Sequence, residues 1–283
     1  MNKLLFTKNY WEQAWQDDPN TAMKKMRKAG QGSYQSKGFE NWAEKFNADS
    51  FSPGGIKRTK RIITWIEQQT GSFEHLTILD VGAASGVFSI PFSKKGAAVH
   101  SLEPSSILTS MLEENAEHHA VNLNIINQSF EEAELEKYGT FDLVFASMCP
   151  ALTNWKAVEK AISCADKYVY ISLMAGAKEN KLVEELMPVL GVEGESVSTD
   201  MYYLLQLLYV NDYSYQSLIE RHQKTTSMSV DEVGNNINAW FTDYSISLNN
   251  DQIQKAVQYL NKTYGEEVPV TTGGKFGKVL IHL

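Results

Sequence analysis

The sequence predicts an α/β protein: a doubly wound, mostly parallel sheet with an N-terminal helical arm and a C-terminal helical cap. Three observations predict it. From Leu76 onward, short apolar runs alternate with helical stretches, as parallel strands joined by right-handed crossovers do. Residues 1 to about 70 read instead as polar and helical, with aromatic residues at helical spacing. After Gly176 the alternation gives way to more helices than simple crossovers need. The implied division is an arm over 1–70, an α/β core over 71–176, and a cap with the last two strands over 177–283.

In the arm, Tyr10, Trp11 and Trp15, then Phe39, Trp42 and Phe46, form stripes that either pack the arm or lie across a ligand cleft. The break "NADSFSPGG" separates them from "IKRTKRIITWIEQQTG", a helix closed by Gly71. The core then reads strand "LTILDV", helix "VFSIPFSKKG", strand "AAVHSLE", amphipathic helix "SSILTSMLEENAEHHA", strand "NLNIINQ", strand "FDLVFASM", helix "NWKAVEKAISCAD" and strand "KYVYISLM". In the cap, "ENKLVEELMPVLG", "DMYYLLQLLYV" and "YSYQSLIERH" read as helices and "QKTTSMS" as a sixth strand. Two more helices, "VDEVGNNINAWFTDY" and "NDQIQKAVQYLNKTYG", lead to the apolar terminal strand "KFGKVLIHL".

Composition narrows the class. A formal net charge of −8 supplies no global positive field for nucleic acid. Locally, Thr21 to Arg61 holds ten Lys or Arg against Glu40, Glu44 and Asp49, either solvated helix faces or a basic rim suited to an anionic substrate. Two cysteines, Cys149 and Cys164, cannot make a disulfide framework. The start "MNKLLFTKNYWEQ" is no signal peptide and no run approaches a membrane span, so a cytoplasmic, reducing setting is expected.

The chemistry concentrates in "ILDVGAASGVFSI". A small-residue loop after a buried strand holds a nucleotide-like ligand against a helix N-terminus. A pyrophosphate wants three glycines spaced G-x-G-x-x-G and no carboxylate nearby. Here the second glycine is Ala84, the third would fall at Val87, and Asp80 stands two residues before Gly82. A carboxylate there repels phosphate and attracts an ammonium or a sulfonium. Glu103 ends the second strand, where an acid can accept from ribose hydroxyls. The pair suits adenosine joined to a cationic amino acid better than a dinucleotide.

In this order "ILDVGAASGVFS", "VHSLEPSS", "INQSFEE" and "FDLVFASMCP" resemble the nucleotide-site motifs of class I (Rossmann-like) S-adenosylmethionine-dependent methyltransferases, over roughly Ile78 to Met174. The resemblance implies a SAM-binding core and a seven-stranded sheet whose last strand runs antiparallel. It implies that Asp80 meets the methionine end of the cofactor while Gly82, Ala83, Ala84 and Gly86 form the loop around it. Glu103 would hold the ribose, Pro104 and Ser105 would border the adenosine, and Leu108 would add an apolar contact. Ser129 and Phe130 fall at the adenine, and Ala146, Ser147 and Met148 on the floor where the methyl group emerges. Two residues depart from the family pattern: Ala84 replaces a glycine, and Ser129 stands where many members have an acid, leaving the adenine contact to Glu131 or a carbonyl.

Methyl transfer from a sulfonium is an in-line displacement, so alignment can supply most of the acceleration and no dedicated catalytic residue is required. A hydroxyl acceptor would want a general base. The turn "ASMCPAL" has the polar residue and proline of an amino-group methyltransferase turn but lacks its second proline and aromatic. Cys149 has no neighbouring His or Lys in sequence to activate it. The six histidines show no ligand spacing, so no metal is expected. Tyr202, Tyr203, Tyr209, Tyr213 and Tyr215 make either a packing stripe or a phenolic substrate wall. The expected function is methyl transfer to a small-molecule acceptor, with no membrane partner. The alternatives are an RNA methyltransferase using the basic stretch, a NAD(P)-dependent oxidoreductase, which Asp80 disfavours, and a SAM-binding module without turnover.

Overall fold

The computed structural model describes residues 3–28 and 40–283, with the side chains at 3, 4, 26, 28 and 40–42 excepted. Phe39, Lys37 and the side chains of Trp42 and Lys28, which the sequence singles out, lie outside that description.

The arm begins with α1 (Lys8–Asp17), α2 (Ala22–Lys28), α3 (Glu40–Phe51) and α4 (Pro53–Thr70). The break read over residues 47–55 narrows to Ser52, whose hydroxyl accepts from the Gly55 amide and caps α4, with Pro53 in the first turn. Gly55 is required for a different reason. A Cβ there would stand 2.2 Å from the Ser50 carbonyl, so α3 and α4 meet backbone to backbone.

The core runs β1 (Thr77–Val81), α5 (Ser89–Lys94), β2 (Ala98–Leu102), α6 (Ser106–His118), β3 (Asn124–Ile126), β4 (Phe141–Ser147), α7 (Trp155–Ser163) and β5 (Ala165–Asn180). Then follow α8 (Lys181–Leu190), α9 (Asp200–Val210), β6 (Ser214–Ser229), α10 (Val230–Thr242), α11 (Asn250–Tyr264) and β7 (Glu267–His282). The seven strands form one sheet in the order β3-β2-β1-β4-β5-β7-β6. The pairings among β1 to β5 are parallel, as doubly wound α/β requires. β7 runs against its neighbours: the Leu283 amide bonds to the Lys167 carbonyl and His282 stacks on Tyr168 at the start of β5, whereas Lys275 lies beside Gly176 further along.

One expectation is corrected. "YSYQSLIERH" reads as a helix, but its residues from Ser214 onward are the first half of β6. The segment carries apolar residues without strict alternation, and β6 is a largely exposed edge strand on which burial imposes none. Long-range pairing decides instead: the His222 carbonyl lies against Gly273 of β7, and just beyond it Thr225 is bonded to Thr271. β5 and β7 are also longer than their apolar runs suggest, each 16 residues.

The chain divides into two compact units: Met1–Leu173 with Tyr203–Leu218 and Lys278–Leu283, and Met174–Tyr202 with Ile219–Gly277. Within the second, α8, α10 and α11 share a core with β7 through Leu182, Leu186, Val233, Ile237, Phe241, Leu260, Val268 and Val270. Capping boxes at Ser229/Glu232 and Asn249/Gln252 start α10 and α11.

In the first unit, Ile62, Ile63 and Ile66 of α4 cover β1 and β4 at Ile78, Leu143 and Phe145. Phe145 lies at the middle of this layer. Its ring stacks on Tyr170 at 4.8 Å and 7° and meets Phe88 and Phe92 at 4.7 and 5.1 Å. Phe145→Ala should therefore destabilise the chain by about 3–5 kcal/mol, read from denaturant unfolding. A loss below about 1 kcal/mol would contradict this packing.

Candidate functional site

β1 and β2 pair in register, Asp80 beside Ser101 and Val81 beside Leu102, so the first two parallel strands end side by side. The loop leaving β1 is tied back to the end of β2, because the amides of Gly82 and Ala83 both donate to the Leu102 carbonyl. Three of its residues take left-handed backbone: Gly82 at φ +73°, Ala84 at +48° and Gly86 at +89°. Ala84 thus adopts the conformation of the glycine it replaces, at a steric cost. Gly82 has no such latitude, since a Cβ there would meet the Cys149 Sγ at 2.7 Å.

Asp80 is 1% exposed. It lies beneath the loop, where it accepts from the Ser89 hydroxyl at 2.6 Å, and the Ser101 hydroxyl donates in turn to Ser89 at 2.8 Å. Burial pushes its pKa up to about 7, opposed by the Ser89 hydrogen bond and reinforced by the charge of Glu103. Glu103, 6% exposed, accepts from the Ala84 amide on one oxygen and the Ser105 amide on the other, both at 2.9 Å. Burial raises its pKa as well, and these two amides hold it back. Glu103 therefore clasps the loop to the first turn of α6, where Ser105 caps the helix by accepting from the Leu108 amide. Leu108 is buried, and Pro104 is half-buried between the acid and the cap.

The remaining sequence-predicted residues lie on two neighbouring turns. After β3, Asn127 donates to the Glu103 carbonyl and to Thr109. Two residues on, the Ser129 hydroxyl accepts from the Glu132 amide and donates to the Glu132 carboxylate, occupying both of its roles locally. Phe130 is buried, with the Lys160 ammonium on its carbonyl and 5.1 Å from its ring centroid. Glu131, its neighbour, is exposed. At the tip of β4, Ala146 is buried and Ser147 bonds to the Ser172 hydroxyl of β5. Met148 turns outward at φ +54° and is 44% exposed. Cys149, against Gly82, has its pKa pushed up to about 12, chiefly by burial, so its thiol stays protonated.

The structure thus joins Asp80, the loop, Glu103 and Ser105 directly, and reaches Ser129 through Asn127 and Met148 through Cys149. The sequence reading missed Ser89, Ser101, Asn115 and Asn127, polar side chains that hold the acids and the loop from below. Their signal was weak because each is a common residue inside a helix, a strand or a turn. Among the described residues, no group of three His, Cys, Asp or Glu could hold a metal ion. No helix among them is long and apolar enough to cross a membrane.

The Asp80 pKa fixes the sign of a pH effect. The folded chain keeps a proton that an unfolded chain, with the ordinary carboxylate value, releases. The stability held by the neutral acid is complete below about pH 4 and is lost as pH rises through about 7. Asp80→Asn should therefore gain stability over the natural chain between these values, level off above pH 7, and reach at most roughly 4 kcal/mol. Thermal and denaturant unfolding from pH 4 to 8 measure the difference, and a flat difference contradicts it.

Residues 78–169, about a third of the chain, match the family model described as a methyltransferase domain. Among curated proteins no match was found. Among solved structures, the magnesium protoporphyrin IX methyltransferase from Synechocystis PCC 6803 with bound SAM is 14% identical, with a TM-score of 0.47 over 85% of this chain and 93% of that one. The YcgJ protein from Bacillus subtilis is 11% identical, with a TM-score of 0.49 over 77% and 96%. A precorrin-6y C5,15-methyltransferase from Geobacter metallireducens GS-15 is 9% identical, with a TM-score of 0.47 over 80% and 86%. Nothing about the substrate of this chain follows from likenesses so distant. The family match falls on the segment that carries β1 to β4, the loop and both acids, and it identifies that segment as a methyltransferase domain.

Proposed function

We propose that SAM binds across the tips of β1 and β2 and that the acceptor is a small molecule, methylated by in-line transfer in the cytoplasm. The observation that carries the cofactor placement is the pair of buried acids. Both carboxyls are raised in pKa by burial, so a ligand that brings positive charge restores their ionised forms. Asp80 favours the cationic methionine end. Glu103 keeps a second lone pair on each oxygen beyond its two amide bonds, and these are free to take ribose hydroxyls. Gly82, Ala83, Ala84 and Gly86 form the floor; Pro104, Ser105, Leu108, Ser129 and Phe130 border the adenosine; Ala146, Ser147 and Met148 lie where the methyl group leaves.

Trp11 and Trp15 of α1 are buried against Tyr203, whose hydroxyl donates to Asp18. Lys8 pairs with Glu159 of α7, the helix that follows the β4 tip. The start of α1 is therefore tied to the helix that follows the β4 tip. No protein nucleophile is needed, because the sulfonium supplies the leaving group and the site supplies alignment.

A second reading, RNA methylation, has Lys57, Arg58 and Lys60 in its favour, all exposed in the first half of α4. Of the other basic residues of the stretch, Lys24 spends its ammonium on the Gln16 and Asp18 carbonyls. RNA binding by those three residues would weaken steeply with salt.

Calorimetry with SAM and NADH side by side should give saturable binding of SAM alone. A panel of amines, phenols and thiols, followed by release of S-adenosylhomocysteine, should contain at least one substrate. Binding of NADH without SAM overturns the reading. Asp80→Ala should cost about 1–3 kcal/mol of SAM affinity. In the natural chain, SAM affinity should fall by at most roughly tenfold per pH unit below about pH 7, because the site must first release the Asp80 proton. Affinity that is level from pH 8 to 5.5 contradicts the role of Asp80.

A further inference from the structure

The loop is held from outside by a side chain that neither the motif nor the acids explain. Asn115, in the last two turns of α6, donates through one amide group to two acceptors, the Ser85 carbonyl and the Asn47 Oδ1, both at 2.9 Å. An asparagine amide has two N–H donors, so both are used. Ser85 is the fourth residue of the loop and lies between left-handed Ala84 and left-handed Gly86. Asn47 belongs to α3, in the arm. A second contact joins the same helices, Phe51 of α3 against His119 just after α6, with ring centroids 5.7 Å apart.

We propose that Asn115 is a positioning residue for the cofactor site, and that through it the docking of α3 sets the loop conformation and hence the affinity for cofactor. The inference rests on the placement of SAM at the loop proposed above. The physical basis is local. The Ala84 amide is committed to Glu103 and the Gly86 amide to the Ala83 carbonyl, so the loop backbone is fixed at those points. Ser85 contributes nothing further, since its buried hydroxyl has no hydrogen-bond partner. Asn115 therefore adds a second tie to the peptide after Ser85, holding its carbonyl while Ala83 holds its amide, at the turn where two left-handed residues must both be maintained. Without the Asn47 acceptor, Asn115 keeps its bond to the Ser85 carbonyl but is held less firmly against the loop.

Two substitutions test this, with binding of S-adenosylhomocysteine read by calorimetry and folding by circular dichroism. Asn115→Asp is isosteric but sets a carboxylate against two acceptor oxygens, and it should weaken binding about tenfold or more at pH 8. Lowering the pH should narrow the ratio to the natural chain, because the introduced carboxyl, once protonated, can donate to the Ser85 carbonyl again; a purely structural defect would not recover in this way. Asn47→Ala leaves the bond to Ser85 and removes only the acceptor that the arm supplies, and it should weaken binding about threefold with the melting temperature little changed. This second variant decides the matter if the first fails to fold. Unchanged affinity in either variant, or a ratio for Asn115→Asp that does not move with pH, overturns the inference. No binding by the natural chain would instead refute the placement of the cofactor at the loop.

Discussion

The site depends on one constraint: two parallel strands that end in register, with an acid at each tip and too little water for either. β1 and β2 pair from Thr77 and Ala98 up to Val81 and Leu102, and the loop amides of Gly82 and Ala83 close on the last carbonyl of β2. The register places Glu103 near enough for its charge to disfavour that of Asp80, inside a layer that excludes solvent. Both carboxyls are then costly to ionise, and the structure answers with hydroxyl and amide donors on each. Ser89 serves Asp80, and the amides of Ala84 and Ser105 serve Glu103.

The same constraint explains why the surrounding backbone is strained and tightly tied. A loop that must turn from the end of β1 to α5 while presenting amides to Glu103 needs left-handed residues, and one of them is Ala84 rather than glycine. Such a conformation persists where neighbouring contacts over-determine it. Here they come from below through Leu102, from the side through Cys149 against Gly82, and from α6 through Asn115. The arm takes part because Asn47 holds Asn115, so a segment outside the sheet bears on the loop.

The charge of the chain is consistent with this division of labour. A net charge of −8 coexists with a basic stretch in the arm, and the structure separates the members of that stretch. Lys24 is drawn to the Gln16 and Asp18 carbonyls, whereas Arg27, Lys45, Lys57, Arg58, Lys60 and Arg61 are exposed. The exposed members supply an outward field, and screening at physiological salt confines its reach to about 8 Å.

Much of this was legible in the order of residues alone. Apolar runs ending in Asp80 and Glu103, followed by small or capping residues, disclose parallel strand tips and a loop, because burial on both sides of a sheet demands continuous apolar strands. Those acids, the glycines at 82 and 86 and the residues along β4 could all be placed by local pattern. Tertiary structure decided the rest. Whether "YSYQSLIERH" became helix or strand depended on β7, more than forty residues away, since an exposed edge imposes no periodicity of its own. The depth of Asp80, its partnership with Ser89 and Ser101, and the reach of Asn115 to Ser85 likewise join residues from different elements. Such contacts arise from packing geometry, and a linear sequence carries no sign of them when the residues involved are ordinary serines and asparagines.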